Sequence, residues 1–211
     1  MTSASSLKTI FASWSSLGEQ ILDLDDIIAE LNRLADPEKV AFKEKKYNIT
    51  ASNCLGVMQS DLRLLAKKIP KDDKLALKLF DSGIYEARLL CSKVFNPKNL
   101  TLKLVEKWTP AFNNWEICDS FSMGIYARSP LALPIIYQWA ERVNEFEKRT
   151  SFATIAGYCT ANKKEENSVF LSFLPLIETA STDNRLYVKK AVNWALRSIG
   201  KRNVDLNKSA I

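Results

Sequence analysis

Asp36-Pro37 and Asn96-Pro97 each place a short hydrogen-bonding side chain directly before a proline. A chain opens a helix this way. The side chain accepts from the first unpaired backbone N–H groups, and proline fills the first helical position, where its missing N–H costs nothing. Pro70, Pro110 and Pro130 likewise fall at breaks in the apolar pattern, and only six glycines interrupt the 211 residues. No stretch alternates apolar and polar residues well enough for a strand. The nearest, Val169 to Leu176, fits a helix about as well, ended or kinked near Pro175. Asp81-Ser82-Gly83 and Ser181-Thr182-Asp183 mark two further helix starts. The chain therefore reads as all-α, with about ten to twelve helices of roughly 8–17 residues and short loops. Residues 1–35 read as an N-terminal helical segment without an assigned role, and 36–211 as one continuous domain.

Apolar content of 46% and charged content of 26% suit a globular protein with an ample core. A net charge of +6 fits nucleic acid, an anionic membrane surface or an acidic partner. The excess is uneven: Arg185 to Lys208 holds seven Lys or Arg against one acid, Asp205. The complete absence of histidine excludes more. It removes Ser-His-Asp and Cys-His nucleophile pairs and any histidine metal site, leaving acid–base or electrostatic work to Asp, Glu, Lys, Tyr or Cys. Cys54, Cys91, Cys118 and Cys159 form no C-x-x-C pair and read as small reduced core residues. No metal or cofactor is expected. Reduced thiols, the lack of a secretion signal and the lack of a membrane-length apolar run lead to a cytoplasmic expectation.

A weak repeat emerges when the helices are aligned on an aromatic residue followed three positions later by a base. Tyr85/Arg88, Phe146/Arg149 and Tyr187/Lys190 fill this slot, and Trp115 occupies the aromatic position at intervals of 30, 31 and 41 residues in the series. Periods of this length in an all-helical chain suggest stacked helix pairs, a right-handed solenoid with one concave face. Equivalent positions would then line one surface carrying Arg88, Arg149 and Lys190. Asp119 breaks that basic series with a negative charge.

Trp115 and Asp119 stand four residues apart, so an indole and a carboxylate share one helix face. Lys190, Trp194, Arg197 and Lys201, spaced by four, three and four, make a basic stripe with an indole in it. Two readings of the stripe stay open: a solvated face with Trp194 tucked into a neighbour, or a groove where cations neutralise phosphates beside an aromatic platform. The Trp115/Asp119 pair is open in the same way, between a structural contact and a site. Trp108 and Trp139 sit in apolar patterns and read as core, while Trp14 falls in the N-terminal segment.

Four segments carry a resemblance to a known family: Ser82-Gly83-Ile84-Tyr85-Glu86-Ala87-Arg88, Asn114-Trp115-Glu116-Ile117-Cys118-Asp119, Glu147-Lys148-Arg149, and Val188 through Arg197 with the tail Ile199-Gly200-Lys201-Arg202-Asn203. They resemble the AlkD-type DNA alkylation repair family, the HEAT-like repeat DNA glycosylases. The resemblance implies an α-solenoid with a concave basic face that cradles duplex DNA as a monomer. It also implies excision of cationic N3- and N7-alkylated purines such as 3-methyladenine and 7-methylguanine. By resemblance, Asp119 matches the catalytic aspartate, Trp115 and Trp194 the tryptophans that hold the deoxyribose, and Arg149 the arginine that grips the backbone. Lys190 and Arg197 of the stripe join Arg149 as candidate DNA contacts. The chain departs from the family's pattern at Leu55-Gly56-Val57-Met58-Gln59-Ser60, which lacks the usual proline, and at Glu116, where an aspartate is usual. A catalytically silent DNA-binding repeat protein and a helical scaffold for an acidic protein are the alternatives.

Overall fold

The computed structural model describes residues 22–211, and among them there is no strand. Trp14 and the serine-rich start of the chain lie outside the described residues. The helices in chain order are α1 Leu24–Arg33, α2 Pro37–Tyr47, α3 Gln59–Ala66, α4 Asp73–Asp81, α5 Tyr85–Val94, α6 Leu102–Trp108 and α7 Trp115–Gly124. They continue with α8 Ala132–Trp139, α9 Glu145–Ala161, α10 Asn167–Leu171, α11 Leu174–Ala180, α12 Leu186–Gly200 and α13 Val204–Ser209. Helices α3, α5, α7, α9 and α12 pack in that order as an inner ladder. Helix α4 backs α5, α8 backs α9, and α11 and α13 back α12. The expected stacking of helix pairs is therefore present. The aromatic slots Tyr85, Trp115, Phe146 and Tyr187 lie in the first turns of α5, α7, α9 and α12, so the weak repeat marks the inner rungs.

Local signals explain most helix boundaries, with instructive exceptions. Asp36 caps α2 as its sequence suggests, accepting from the Glu38 and Lys39 N–H groups with Pro37 inside the first turn. Asn96-Pro97 opens only the 3-10 turn Pro97–Asn99, and the following α-helix is capped instead by Thr101. Asp81 ends α4 rather than starting a helix, and Gly83, at φ 75°, makes the turn into α5. Asp183 lies just ahead of α12, where its carboxylate accepts from the Arg185 N–H. Around Pro175 the chain breaks at Ser172-Phe173, and the proline sits in the first turn of α11. Four helices (α6, α10, α11 and α13) fall below the expected eight residues.

Two apolar clusters share the core. One runs from α1 to α8 and includes Ile27 and Leu31 of α1, and the other runs from α8 to the C-terminal helices. Helix α8 joins them, with Ile135 and Trp139 in the first and Ala132 and Ile136 in the second. Trp108 and Trp139 are fully buried, as their patterns suggest. Trp108 lies 5.1–5.6 Å from the rings of Phe80, Phe95 and Phe121. Such aromatic pairs add about 0.5–1.5 kcal/mol each beyond area burial. All four cysteines are free; three are buried and Cys54 is half-buried.

The Leu55-Gly56-Val57 element is a crossing point. Gly56 has φ 82°, and a Cβ there would stand 2.1 Å from the Asp36 carbonyl oxygen. Its N–H and that of Leu55 both donate to the Glu86 carboxylate, which is completely buried. Gly56→Ala is expected to cost about 1–3 kcal/mol, from the strained φ and the displaced backbone. A urea denaturation midpoint unchanged by this substitution would contradict the close packing.

Candidate nucleic-acid interface

Helix α7 begins at Trp115 because Asn114 caps it. The Asn114 Oδ1 accepts from the Glu116 and Ile117 N–H groups and from the Tyr85 hydroxyl of the preceding rung. The apolar side of α7, with Ile117, Cys118 and Phe121, enters the core. The i, i+4 spacing then turns Trp115 and Asp119 out together. The indole is fixed, its Nε1 donating to the Tyr47 carbonyl at 2.9 Å and its ring meeting the edge of Tyr47.

Asp119 is held by Arg149 of α9 in a two-point contact. Nε donates to Oδ1 at 2.9 Å and Nη2 to Oδ2 at 2.8 Å, while Nη1 donates to the Tyr187 carbonyl at 2.6 Å. The arginine is buried, and the Asp119 side chain retains 20% exposure. Burial pushes the Asp119 carboxyl above its ordinary value, and the guanidinium opposes that shift through hydrogen bonds and charge. Burial works against the charge on Arg149 too, but the facing carboxylate holds its pKa above the usual value.

Helix α12 supplies the facing wall. The Glu145 carboxylate at the start of α9 accepts from the Tyr187 N–H, satisfying one of the unpaired donors of the first turn. Trp115, Asp119, Arg149, Lys190 and Trp194 line one cavity of about 600 Å³, completed by Leu186, Tyr187 and the corner Lys46-Tyr47-Asn48. Three cations and one carboxylate border it, so with Asp119 paired the surface remains attractive to phosphate.

The sequence-derived candidates thus converge, with three exceptions. Arg197 on α12 and Lys201 just after it are exposed but line no part of this cavity. Arg88, placed on the same surface by the repeat, instead donates from Nε to the Phe80 carbonyl and lies over the Phe80 ring of α4. The corner at Tyr47-Asn48 was missed. Asn48, in the left-handed conformation at φ 53°, donates from Nδ2 to the Tyr187 hydroxyl at 2.8 Å. The end of α2 is thereby tied to α12 and, through Trp115, to α7. An asparagine after a basic helix end is a readable C-terminal stop, but nothing local names its distant partners.

A buried polar network supports the site from behind. The Lys43 ammonium donates to the Val57 carbonyl and stands 3.9 Å from the Glu86 carboxylate and 3.6 Å from that of Glu116. Glu116 also accepts from Gln59, and its Oε2 shares the single Tyr85 hydroxyl proton with Asn114. The residue that departs from the aspartate usual in the family pattern is therefore a buried anchor for α7.

A solved structure described as "a new family of proteins related to the HEAT-like repeat DNA glycosylases with affinity for branched DNA structures" is similar to this chain. Its TM-score is 0.77 at 19% identity, over 90% of this chain and 80% of that one. At that identity the likeness concerns the fold, an all-α stack of HEAT-like repeats. No curated protein matches the chain. The family model described as DNA alkylation repair enzyme matches residues 27–211, a span containing α2 to α13 and every residue of the cavity. The chain belongs to the DNA alkylation repair enzyme family.

Proposed function

We propose that the protein is a DNA glycosylase that releases cationic N3- and N7-alkylated purines. The observation that carries this reading is the meeting of Trp115, Asp119 and Trp194 at one cation-bordered cavity. Alkylation at N3 or N7 leaves the purine positively charged. The N-glycosidic bond then breaks with its electron pair going to the base, which leaves neutral and needs no general acid. Positive charge moves to the deoxyribose as an oxocarbenium ion. Water attacks C1′ and gives up its proton, leaving an abasic site. Asp119 stabilises the cationic sugar and orients the water through the lone pairs that Arg149 does not occupy. At about 4 Å and an effective dielectric near 20, a full charge pair is worth roughly 4 kcal/mol. The indoles of Trp115 and Trp194 add cation–π attraction and exclude bulk water. Lys190 and Arg197 neutralise backbone phosphates, and Arg149 adds its remaining N–H groups where the strand passes.

A second reading is favoured by the two-point pairing of Asp119 with Arg149, which occupies both carboxylate oxygens. In that reading the carboxylate is structural, and the protein binds DNA, including branched forms, without releasing bases. The test is incubation of the purified protein with methylated duplex DNA. Free 3-methyladenine or 7-methylguanine and matching abasic sites are expected. Salt-sensitive binding with no base release would remove the glycosylase reading and leave the second.

A further inference from the structure

Trp194 also lines a second cavity, of about 730 Å³. Lys163, Lys201 and Arg202 border it, and among the described residues no carboxylate does. Its cations come from two separate elements: Lys163 from the turn after α9, and Lys201 from the end of α12. Arg202 binds these elements together. Its Nη1 donates to the Cys159 carbonyl at 2.6 Å and its Nη2 to the Lys163 carbonyl at 3.1 Å, and the guanidinium lies 3.7 Å over the Phe170 ring. The arginine is occupied as a staple, while Lys163 and Lys201 are exposed. Two exposed ammonium groups are thus carried on backbone held at a fixed separation, which reduces the ordering cost of binding an anion between them.

We propose that this second cavity is a phosphodiester subsite that takes the DNA strand onward from the Trp115/Trp194 cavity, resting on the DNA-binding part of the reading above and not on base release. Lys201, which caps the end of α12, lies seven positions after Trp194, about 10 Å of helix rise. One strand of B-DNA carries a phosphate for about every 3.4 Å of duplex axis. A strand with a sugar at Trp194 therefore brings its neighbouring phosphates within reach of Lys201 and Lys163. Trp194 is the residue common to both cavities, with the sugar in the first and backbone charge in the second.

The experiment is a salt titration of duplex binding, by fluorescence anisotropy, for wild type, Lys163→Ala, Lys201→Ala, the double variant, and Lys98→Ala as an exposed control. Loss of each cavity lysine should lower affinity about fivefold at roughly 0.15 M salt and make the slope of log K against log salt shallower by about 0.9. The control should match wild type. Wild-type duplex binding by the double variant would overturn the subsite, even if the protein proves to be a glycosylase. Conversely, a protein that releases no base can still lose duplex affinity in the double variant, which supports the subsite alone. Inorganic phosphate is the second probe. Micromolar phosphate binding that the double variant loses while duplex affinity stays intact would assign the cavity to a free anion and overturn the strand proposal.

Discussion

Asp119→Asn slows release of 7-methylguanine by about a thousandfold, the rate equivalent of the roughly 4 kcal/mol that its charge contributes beside a cationic sugar. The substitution keeps the side-chain volume, but its amide N–H groups face one of the two Arg149 donors that the carboxylate accepts from, so the variant's fold is checked alongside by its urea midpoint. The effect belongs in kcat, because the ground-state deoxyribose is neutral and only the transition state carries the charge that the carboxylate stabilises. Duplex affinity should fall little or even rise, since a negative group has been removed from a phosphate-binding surface. Single-turnover release from a methylated oligonucleotide, with anisotropy for affinity, separates the two quantities. Equal release by wild type and variant would leave Asp119 without a chemical role. The pH dependence adds an independent check. Activity requires the ionised carboxylate, so it is present at high pH and lost as pH falls through the Asp119 value. Burial raises that value. The acid limb of the rate profile should therefore lie above the ordinary aspartate pKa of about 3.9. The Asn variant should lack that limb.

Much of this was legible in the chain because it is local. A cap, a proline and a 3.6-residue period act within one helix, and so does the four-residue step that aligns Trp115 with Asp119. Asp36-Pro37 shows the limit of such signals by contrast with Asn96-Pro97. Both carry the same two-residue signal, but only the first is followed by a helix of 11 residues. After Asn96 the chain makes only a 3-10 turn, and Thr101, five positions on, caps the next α-helix. The aromatic slots also survive, as the first turns of stacked rungs. Of the bases three residues later, Arg149 and Lys190 share the cavity and Arg88 does not. A three-residue offset fixes a direction relative to its own helix, whereas the packing neighbour decides what lies there. Arg88 meets the α4 carbonyl of Phe80, and Arg149 meets Asp119. The Tyr47-Asn48 corner was invisible because its partners lie 68 and 139 residues away. Lys43 was invisible for a different reason. A lysine in a run of charges reads as solvated, yet its ammonium is buried between Glu86 and Glu116.

Arg149→Ala should be the most destabilising change at the site, costing about 3–5 kcal/mol at neutral pH. The loss comes less from the missing attraction than from what remains. The Asp119 carboxylate, set in a site where burial already raises its pKa, would have no counter-ion, and the Tyr187 carbonyl would lose its donor. With the opposing influence of Arg149 gone, the carboxyl rises further. The sign of the pH dependence follows. A carboxyl whose folded pKa exceeds its unfolded value binds protons better when folded, so stability falls as pH rises through the window between the two. The window opens at about 3.9, the unfolded aspartate value, and closes at the raised folded one. Relative to wild type, Arg149→Ala should therefore recover stability on acidification and be weakest at neutral pH. Arg149→Lys should recover only part of the loss, since an ammonium cannot make the paired contact to both oxygens. The informative partner is the double variant Arg149→Ala with Asp119→Asn, which removes the stranded charge and should be more stable at pH 7 than Arg149→Ala alone. Urea midpoints at pH 5 and pH 7 measure all of these. If the single and double variants unfold together at both pH values, the carboxylate is not buried against the arginine in solution. The mutual hold of Asp119 and Arg149 across α7 and α9 would then fail as the frame of the site.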